Sequence, residues 1–151
     1  MNITEIFEKH TWDSYIHQCT RKTFLQTYEW GEFQKQLGKD ILRLAFLDTN
    51  NTLQGISLVI FEKTPFGTQI YLPRGPLMTT ETQDTYKSIL SALVEYFKTK
   101  NISCIKVDPA FKEQEQIAKV PSTLDFKHSI NFIQSETNWM VDLVGNTEEE
   151  L

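Results

Sequence analysis

Apolar residues recur at helical spacing in the first part of the chain, and this pattern predicts two helices. Thr11 is expected to cap the first helix, whose apolar residues over 12–19 share one face. Thr27 is expected to cap a second, shorter helix that ends at Gly38. The second helix is predicted to bury its apolar stripe, which consists of Trp30, Phe33 and Leu37.

Strand-like runs follow over 41–47 and 53–62, and the polar residues between them predict an antiparallel hairpin. A third strand is predicted over 68–72. It runs into Pro73-Arg74-Gly75-Pro76, which two prolines and a glycine prevent from forming regular structure. Gly75 is expected to supply a backbone conformation that other residues disfavour.

The clearest helical pattern follows this loop, with Thr82 or Thr80 placed to cap its start. A short apolar strand over 103–107 then ends at Asp108-Pro109. The order of strand, helix and strand predicts a crossover with parallel pairing. The apolar residues that repeat in the helix are Tyr86, Ile89, Leu90, Leu93, Val94 and Phe97.

The last part of the chain carries weaker signals, which are a polar helix before Pro121 and strands over 126–134 and 137–144. Together the elements predict an α/β fold. Asn146 or Thr147, followed by three glutamates, predicts the start of a helix, yet the sequence stops at Leu151. We therefore expect residues 1–151 to be one domain of a longer natural chain, with a second domain beginning near 146–151.

Composition and charge remove several classes of function. The formal net charge of −5 disfavours a general nucleic-acid surface. No apolar run approaches the roughly 18 residues that span a bilayer, and no signal peptide is visible, so a cytoplasmic location is expected. Cys19 and Cys104 lie far apart and are predicted to be buried small apolar residues rather than a disulfide or a zinc site.

Arg74 and Asp108 are candidates for chemistry because both follow predicted strands. A rigid loop can aim the planar guanidinium of Arg74 at a phosphate or a carboxylate. Asp108 lies where ligands gather in open α/β sheets, beyond the carboxyl end of a strand. The structural alternatives are that Arg74 pairs with a nearby carboxylate and that Asp108 caps a turn, and the residues alone favour these alternatives.

Gln34 and Lys35 are predicted to lie on the exposed side of the second helix. Lys35 there could neutralise a phosphate, or it could be an ordinary solvated lysine. Glycine-rich nucleotide loops, metal-ligand spacings and the nucleophile-elbow motif are absent from the sequence. Without further information, the sequence predicts an α/β domain with a candidate anion-binding loop.

Four segments, in this order along the chain, resemble the N-terminal half of Fem-type (FemABX) proteins, the peptidoglycan-bridge or methicillin-resistance aminoacyltransferases. They cover most of the sequence. The four segments are Phe24-Leu25-Gln26-Thr27-Tyr28-Glu29-Trp30-Gly31-Glu32-Phe33, Tyr71-Leu72-Pro73-Arg74-Gly75-Pro76-Leu77, Ile105-Lys106-Val107-Asp108-Pro109 and Thr137-Asn138-Trp139-Met140-Val141-Asp142-Leu143.

The resemblance implies a GNAT-like (acyl-CoA N-acyltransferase-like) domain with a central mixed, mostly antiparallel sheet flanked by helices. It implies an enzyme of cell-wall synthesis that transfers an amino acid from aminoacyl-tRNA to the stem-peptide amine of a muramyl-pentapeptide precursor. Aminoacyl-tRNA is then a co-substrate, and no cofactor or metal is expected. The precursor is nucleotide-linked or lipid-linked, and peripheral membrane contact stays open.

The resemblance assigns acceptor binding to Gln34, Lys35, Arg74 and Asp108 by their match to the family's segments. The family carries a basic residue near the position of Gln34, and Arg74 has either a substrate role or a scaffold role. Catalytic residues are expected in the second domain, so this half alone is expected to be inactive. Two alternatives remain, which are an N-acyltransferase of another pathway and a degenerate, non-catalytic binding module.

Overall fold

The computed structural model describes residues 1–131 and 133–135. Three α-helices are present in this part of the chain, namely α1 (Lys9–Gln18), α2 (Tyr28–Gln36) and α3 (Gln83–Phe97). The strands are β1 (Asn2–Glu5), β2 (Ile41–Leu47), β3 (Leu53–Thr64), β4 (Gly67–Pro73), β5 (Leu77–Met78) and β6 (Ile102–Asp108). Short 3-10 helices cover Phe24–Gln26, Gln116–Lys119 and Pro121–Leu124.

The strands form one sheet in the order β1-β2-β3-β4-β6, with β5 paired to β3. Neighbours from β1 to β4 are antiparallel, as is the β3–β5 pair. β4 and β6 are parallel and are connected through α3. The predicted mixed, mostly antiparallel sheet with flanking helices is therefore confirmed, and so are the hairpin and the parallel crossover.

Alternation along the strands builds two apolar cores, one on each face of the sheet. On one face, Val59, Ile70 and Leu72 pack with the buried side of α3. On the other face, Leu58 and Ile60 pack beneath α1 and residues of α2. The sheet is therefore covered on both faces along its central strands, and the polar side chains inside these strands, such as Arg43 and Ser57, are buried.

Helix α3 forms where the sequence predicts it. The hydroxyl of Thr82 accepts a hydrogen bond from the main-chain nitrogen of Thr85, and Asp84 lies in the first turn, where the helix dipole favours a negative charge. The helix ends at Phe97. Five residues of the predicted apolar stripe are buried, namely Tyr86, Ile89, Leu90, Leu93 and Phe97.

Several local predictions are wrong. Helix α1 begins at Lys9 after Glu8, so Thr11 is an internal residue and not its cap. Residues 126–131 and 133–135 form no strand. Ile130 is 94% exposed, so the apolar alternation there does not correspond to burial. The predicted strand over 137–144 and the predicted acidic helix start lie outside the described residues.

Two more differences concern side chains. Cys19 is buried as expected, but Cys104 is exposed on β6. On α2, Phe33 and Leu37 are exposed, whereas Gly31 and Gln34 are the buried residues. Of the predicted apolar stripe, Trp30 packs against the core on this face of the sheet, whereas Phe33 and Leu37 do not, for a reason that involves Arg43 and is described below.

Candidate functional site

Arg74 and Asp108 meet at one edge of the sheet. Because β4 and β6 are parallel, their carboxyl ends lie side by side, and Pro73 is the register partner of Asp108. Arg74 follows Pro73 directly, and its Nη1 atom lies 3.3 Å from Oδ1 of Asp108. The Arg74 side chain is 17% exposed. The order of strand, helix and strand thus brings together two of the four predicted site residues.

Tyr71 completes this cluster from β4. Its hydroxyl donates a hydrogen bond of 3.0 Å to Oδ2 of Asp108. Burial raises the pKa of the Asp108 carboxyl, and the positive charge of Arg74 and the Tyr71 hydrogen bond oppose that rise. Burial, and then the charge of Asp108, raise the pKa of Tyr71. The site is a half-buried carboxylate with both oxygens occupied, next to a guanidinium that has further donors.

The prediction that Gly75 supplies the unusual backbone conformation of the loop is wrong. Arg74, and not Gly75, adopts the left-handed conformation, with φ of 48°. Gly75 is required for space, because a Cβ atom there would lie 2.7 Å from Nε2 of Gln26 and 2.8 Å from Oγ of Ser57. The loop therefore presses against buried polar groups, and this packing fixes the position from which Arg74 extends.

Gln26 holds the loop in place and was not singled out from the sequence. Its Nε2 donates to the main-chain oxygen of Pro73 at 2.5 Å, and its Oε1 accepts from the main-chain nitrogen of Leu58 at 2.8 Å. Its own carbonyl accepts from the Trp12 indole nitrogen at 2.7 Å. Gln26 is fully buried. It connects the segment before α2 to β3 and to the arginine loop.

A second arginine, Arg43 of β2, organises α2. Its guanidinium lies 3.7 Å from the centre of the Tyr28 ring. Its Nη2 donates to the main-chain oxygen of Tyr28 at 2.7 Å and to Oε1 of Glu32 at 2.9 Å. A Cβ atom on Gly31 would lie 2.5 Å from that same Nη2. Gly31 therefore lets a buried guanidinium occupy the space under α2, and this rotates Phe33 outward.

Lys35 and Gln34 differ from each other in environment. Nζ of Lys35 lies 3.0 Å from Oε1 of Glu32, which also binds Arg43. Hydrogen bonds from Lys35 and then Arg43 lower the pKa of Glu32. Gln34 is only 6% exposed, so its predicted position on the exposed side of the helix is wrong, whereas that of Lys35 is right.

These two residues of α2 do not join the Arg74 cluster directly. Within residues 1–131 and 133–135, no hydrogen bond or ion pair links Gln34 or Lys35 to Arg74 or Asp108. The connection between the two regions runs through Gln26, which lies just before the cap of α2 and bonds to Pro73. The candidate site therefore consists of the Arg74, Asp108 and Tyr71 cluster and of helix α2, which are connected through the buried side chain of Gln26.

Comparison with solved structures defines the class of fold. A crystal structure of a probable acetyltransferase matches with a TM-score of 0.60 at 12% identity, covering 94% of this chain and 99% of that one. The aminoglycoside 6′-N-acetyltransferase AAC(6′)-IG of Acinetobacter haemolyticus matches with a TM-score of 0.52 at 13% identity, covering 93% of this chain and 100% of that one. The fold is that of the GNAT-like acyltransferases.

The family follows from the sequence itself. The FemAB family model matches residues 7–149, and the chain belongs to this family. The crystal structure of FemX matches with a TM-score of 0.71 at 24% identity and covers 85% of this chain. The chain spans about a third of the length of FemX, since only 32% of that chain is covered. No curated protein matches the sequence.

Among residues 1–131 and 133–135, no helix combines the length and the apolar character that are needed to cross a membrane.

Proposed function

We propose that this chain is the N-terminal, GNAT-like domain of a longer two-domain Fem-type transferase of peptidoglycan-bridge synthesis, acting in the cytoplasm. The stem-peptide amine of a muramyl-pentapeptide precursor attacks the ester carbon of an aminoacyl-tRNA. A new amide bond forms, the ester bond breaks, and the tRNA leaves with its hydroxyl restored after the amine loses a proton. The residues that assist this proton transfer belong to the second domain, which begins near 146–151.

The observation that carries the proposal is the FemAB match over nearly the whole chain. The geometry adds a reason for the order of the motifs. The segment before α2 and the arginine loop touch through Gln26, and the loop touches the end of β6 through Asp108. Three segments that are distant in sequence therefore build one edge of the domain, which we assign to the acceptor side.

Within this edge, Arg74 has the chemistry to hold an anionic group of the precursor. Its guanidinium donates to the carboxylate of Asp108 at 3.3 Å and to the main-chain oxygen of Ser135 at 2.7 Å, so its orientation is fixed. Asp108 orients Arg74 and Tyr71 rather than acting alone. Lys35 is the exposed cation of α2 and is assigned to the precursor's diphosphate, whereas the buried Gln34 supports the helix.

The proposal is tested by titrating the chain with a muramyl-pentapeptide nucleotide, followed by calorimetry and NMR. We expect saturable binding, with shifts centred on Lys35, Arg74 and Asp108. Lys87→Met provides a matched control because Lys87 is an exposed cation on α3 and outside the assigned edge. Binding that leaves all three residues unshifted, or no binding at all, contradicts the assignment. Turnover is not the readout, since the second domain is required for it.

An acyl-CoA-dependent N-acyltransferase is the second candidate, favoured by the fold of the acetyltransferases that this chain matches. The start of α3 disfavours it. Helix N-termini are common phosphate sites, but here Thr82 caps the helix, Asp84 lies in its first turn, and Glu81 just before it pairs with Arg21. A pyrophosphate would meet two carboxylates. Saturable acetyl-CoA binding by the full-length protein, without dependence on charged tRNA, would favour this class.

The non-catalytic alternative depended on Gln34 as an exposed substitute for a basic residue. Since Gln34 is buried and Lys35 is exposed beside it, α2 retains an accessible cation. A Gln34→Lys variant offers the test, because a large gain in precursor affinity would indicate that a required charge had been lost. We expect no gain, since the new ammonium would start from a buried position.

A further inference from the structure

The loop that follows β6 begins at Asp108 and then leaves the sheet. In the described part of the chain, residues 109–111 make no main-chain hydrogen bond to another main-chain atom outside the sheet. Phe111 contacts Tyr86 of α3, with 5.1 Å between the ring centres. The next residue anchored in the core is Ile117, which is buried against α3. The segment 109–116, here called the β6 loop, therefore depends on side-chain contacts for its position.

Arg21 supplies most of these contacts from the connection between α1 and α2. Its Nη1 donates to the main-chain oxygen of Ala110 at 2.9 Å, and its Nη2 donates to Oε2 of Glu115 at 2.6 Å. Its Cζ atom lies 5.1 Å from the centre of the Phe111 ring. Its Nε donates to Oε2 of Glu81, just before α3, at 2.8 Å. One guanidinium thus holds the β6 loop against two other parts of the chain.

The charges around Arg21 show what its removal would do. The side chains of Glu81 and Glu115 are 17% and 28% exposed, so water screens their charges only in part. Without Arg21, these two carboxylates would lose the cation that they share and would repel each other. The carbonyl of Ala110 would lose its donor at the same time. Removing Arg21 should therefore loosen the β6 loop, while Ile117 keeps its far end in the core.

The β6 loop is connected to the candidate site through Asp108. Only Pro109 separates Asp108 from Ala110, and its ring fixes the backbone angle φ, so a shift at Ala110 is poorly absorbed before it reaches Asp108. Asp108 accepts from Tyr71 at 3.0 Å and from Arg74 at 3.3 Å. Both distances depend on where the backbone of Asp108 lies. A loosened β6 loop is therefore expected to loosen the orientation of Arg74.

We propose that Arg21 is a positioning residue of the candidate site. By holding the β6 loop it fixes Asp108, and through Asp108 it orients the Arg74 guanidinium towards an anionic group of the precursor. The identity of that ligand rests on the proposed function, whereas the action of Arg21 on the loop needs no ligand. In the described chain, Arg21 makes no hydrogen bond or ion pair with Arg74 or Asp108, so it acts through the loop.

The first measurement uses the chain without ligand. Arg21→Met removes the three donors and keeps an aliphatic side chain. We expect the NMR order parameters of residues 110–114 to fall from about 0.85 to below about 0.6. The Nε–H signal of Arg74 should shift and exchange faster with water. Arg21→Lys should give a smaller change, because its ammonium keeps the charge without the planar fork. Lys22→Met is the matched control, since Lys22 is the exposed cation next to Arg21.

The second measurement is a calorimetric titration with the muramyl-pentapeptide nucleotide. Arg21→Met is expected to weaken binding about tenfold, because the ligand must then order the loop and Arg74 itself. Val120→Ala tests whether lower stability alone has this effect, since Val120 is buried in the core beyond the loop. That variant should unfold at a lower urea concentration and bind the nucleotide with unchanged affinity.

Several outcomes would overturn the inference. Unchanged order parameters in Arg21→Met, or equal changes in Lys22→Met, would show that Arg21 does not hold the loop. A loosened loop with an unchanged Arg74 signal and unchanged affinity would show that the loop does not position the site. Equal losses of affinity in Val120→Ala and Arg21→Met would reduce the effect to stability. If the parent chain does not bind the nucleotide, the proposed function fails, and the ligand-free Arg74 signal still decides whether Arg21 positions that side chain.

Discussion

Arg43 and Arg74 are worth comparing, because each is an arginine paired with a carboxylate, Glu32 for Arg43 and Asp108 for Arg74. The Arg43 side chain is 5% exposed and is held by the Tyr28 ring, the Tyr28 carbonyl and Glu32. Arg74 lies at a strand end and is held by Asp108 and the carbonyl of Ser135. Arg43 fills space inside the domain, whereas Arg74 retains donors at its edge.

The difference shows that the surroundings of an arginine indicate whether it stabilises the fold or is available to bind a ligand. A guanidinium stacked on an aromatic ring and enclosed by helix backbone cannot reach a ligand. Removing it is therefore expected to lower the free energy of unfolding. A guanidinium at the carboxyl end of parallel strands lies where ligands bind in α/β sheets. Removing it is therefore expected to lower the affinity for a ligand. The following predictions use this contrast, in order of decreasing effect.

Replacing Arg43 with methionine gives the largest expected change. The Tyr28 carbonyl and Glu32 lose their donor, and we expect the free energy of unfolding to fall by about 2–3 kcal/mol. Urea unfolding followed by tryptophan fluorescence measures it. Arg74→Met is the matched variant and should lose less than about 1 kcal/mol. Equal losses, or a larger loss at Arg74, would remove the distinction between the two arginines.

Gly31→Ala probes the space around Arg43. The added methyl group would lie 2.5 Å from Nη2 of Arg43 and 3.0 Å from Cδ1 of Ile41, so α2 or the guanidinium must shift. We expect a loss of about 2 kcal/mol, as is typical of overpacking. Gly38→Ala is the control, because Gly38 has φ of 79° and nothing within 4 Å of the new atom. That control should show only the backbone penalty of about 1 kcal/mol.

In precursor binding, Arg74→Met is expected to lower affinity about tenfold, equivalent to about 1.4 kcal/mol, because a charge-assisted hydrogen bond is lost. Calorimetry with the muramyl-pentapeptide nucleotide measures this change. Arg43→Met, studied at a temperature where it stays folded, should lose less affinity than Arg74→Met, because Arg43 acts on the assigned edge only indirectly, through Glu32 and Lys35. A binding defect at Arg43 that matches the one at Arg74 would show that both arginines act through folding.

Asp108→Asn should give the smallest effect, which is a change in how stability depends on pH. The folded pKa of Asp108 is raised above the ordinary value of 3.8, mainly by burial. Its contribution to stability is therefore fully present below that value and is lost as the pH rises through the folded pKa. We expect the stability of the parent chain, relative to Asp108→Asn, to decrease as the pH rises above 3.8 and through the raised pKa of the folded state.

The control for the pH series is Asp125→Asn, since Asp125 has φ of 59° and asparagine tolerates that conformation. Urea unfolding at several pH values gives the relative stabilities. If the parent chain instead becomes more stable relative to Asp108→Asn as the pH rises, the direction assigned to the Asp108 pKa is contradicted.

Elements whose burial follows a simple period could be predicted from the sequence. The β2–β3 hairpin and α3 formed as expected because their apolar residues repeat at strand and helix spacing and their caps or turns are local. The contact of Arg74 with Asp108 also follows from sequence order, since parallel strands joined by a helix end at the same edge. These are consequences of local pattern and connectivity alone.

What could not be predicted depends on pairing between distant residues. The outward position of Phe33 results from Arg43, eleven residues after Glu32, entering the space beneath Gly31. The role of Gln26 depends on Pro73, 47 residues away. Periodicity describes one element at a time, and a buried polar side chain that serves two other elements gives no periodic signal. A lone glutamine between an apolar residue and a helix cap is the only local hint.

The side-chain amide of Gln26 has a consequence for inheritance within the family. Its nitrogen must donate to Pro73 and its oxygen must accept from Leu58, so a glutamate of the same shape lacks the donor that the loop requires. Family members in which this glutamine is replaced should also differ in the Pro-Arg-Gly-Pro turn. Members that retain the turn should retain the glutamine. Two motifs that look separate in an alignment would then evolve as a single unit.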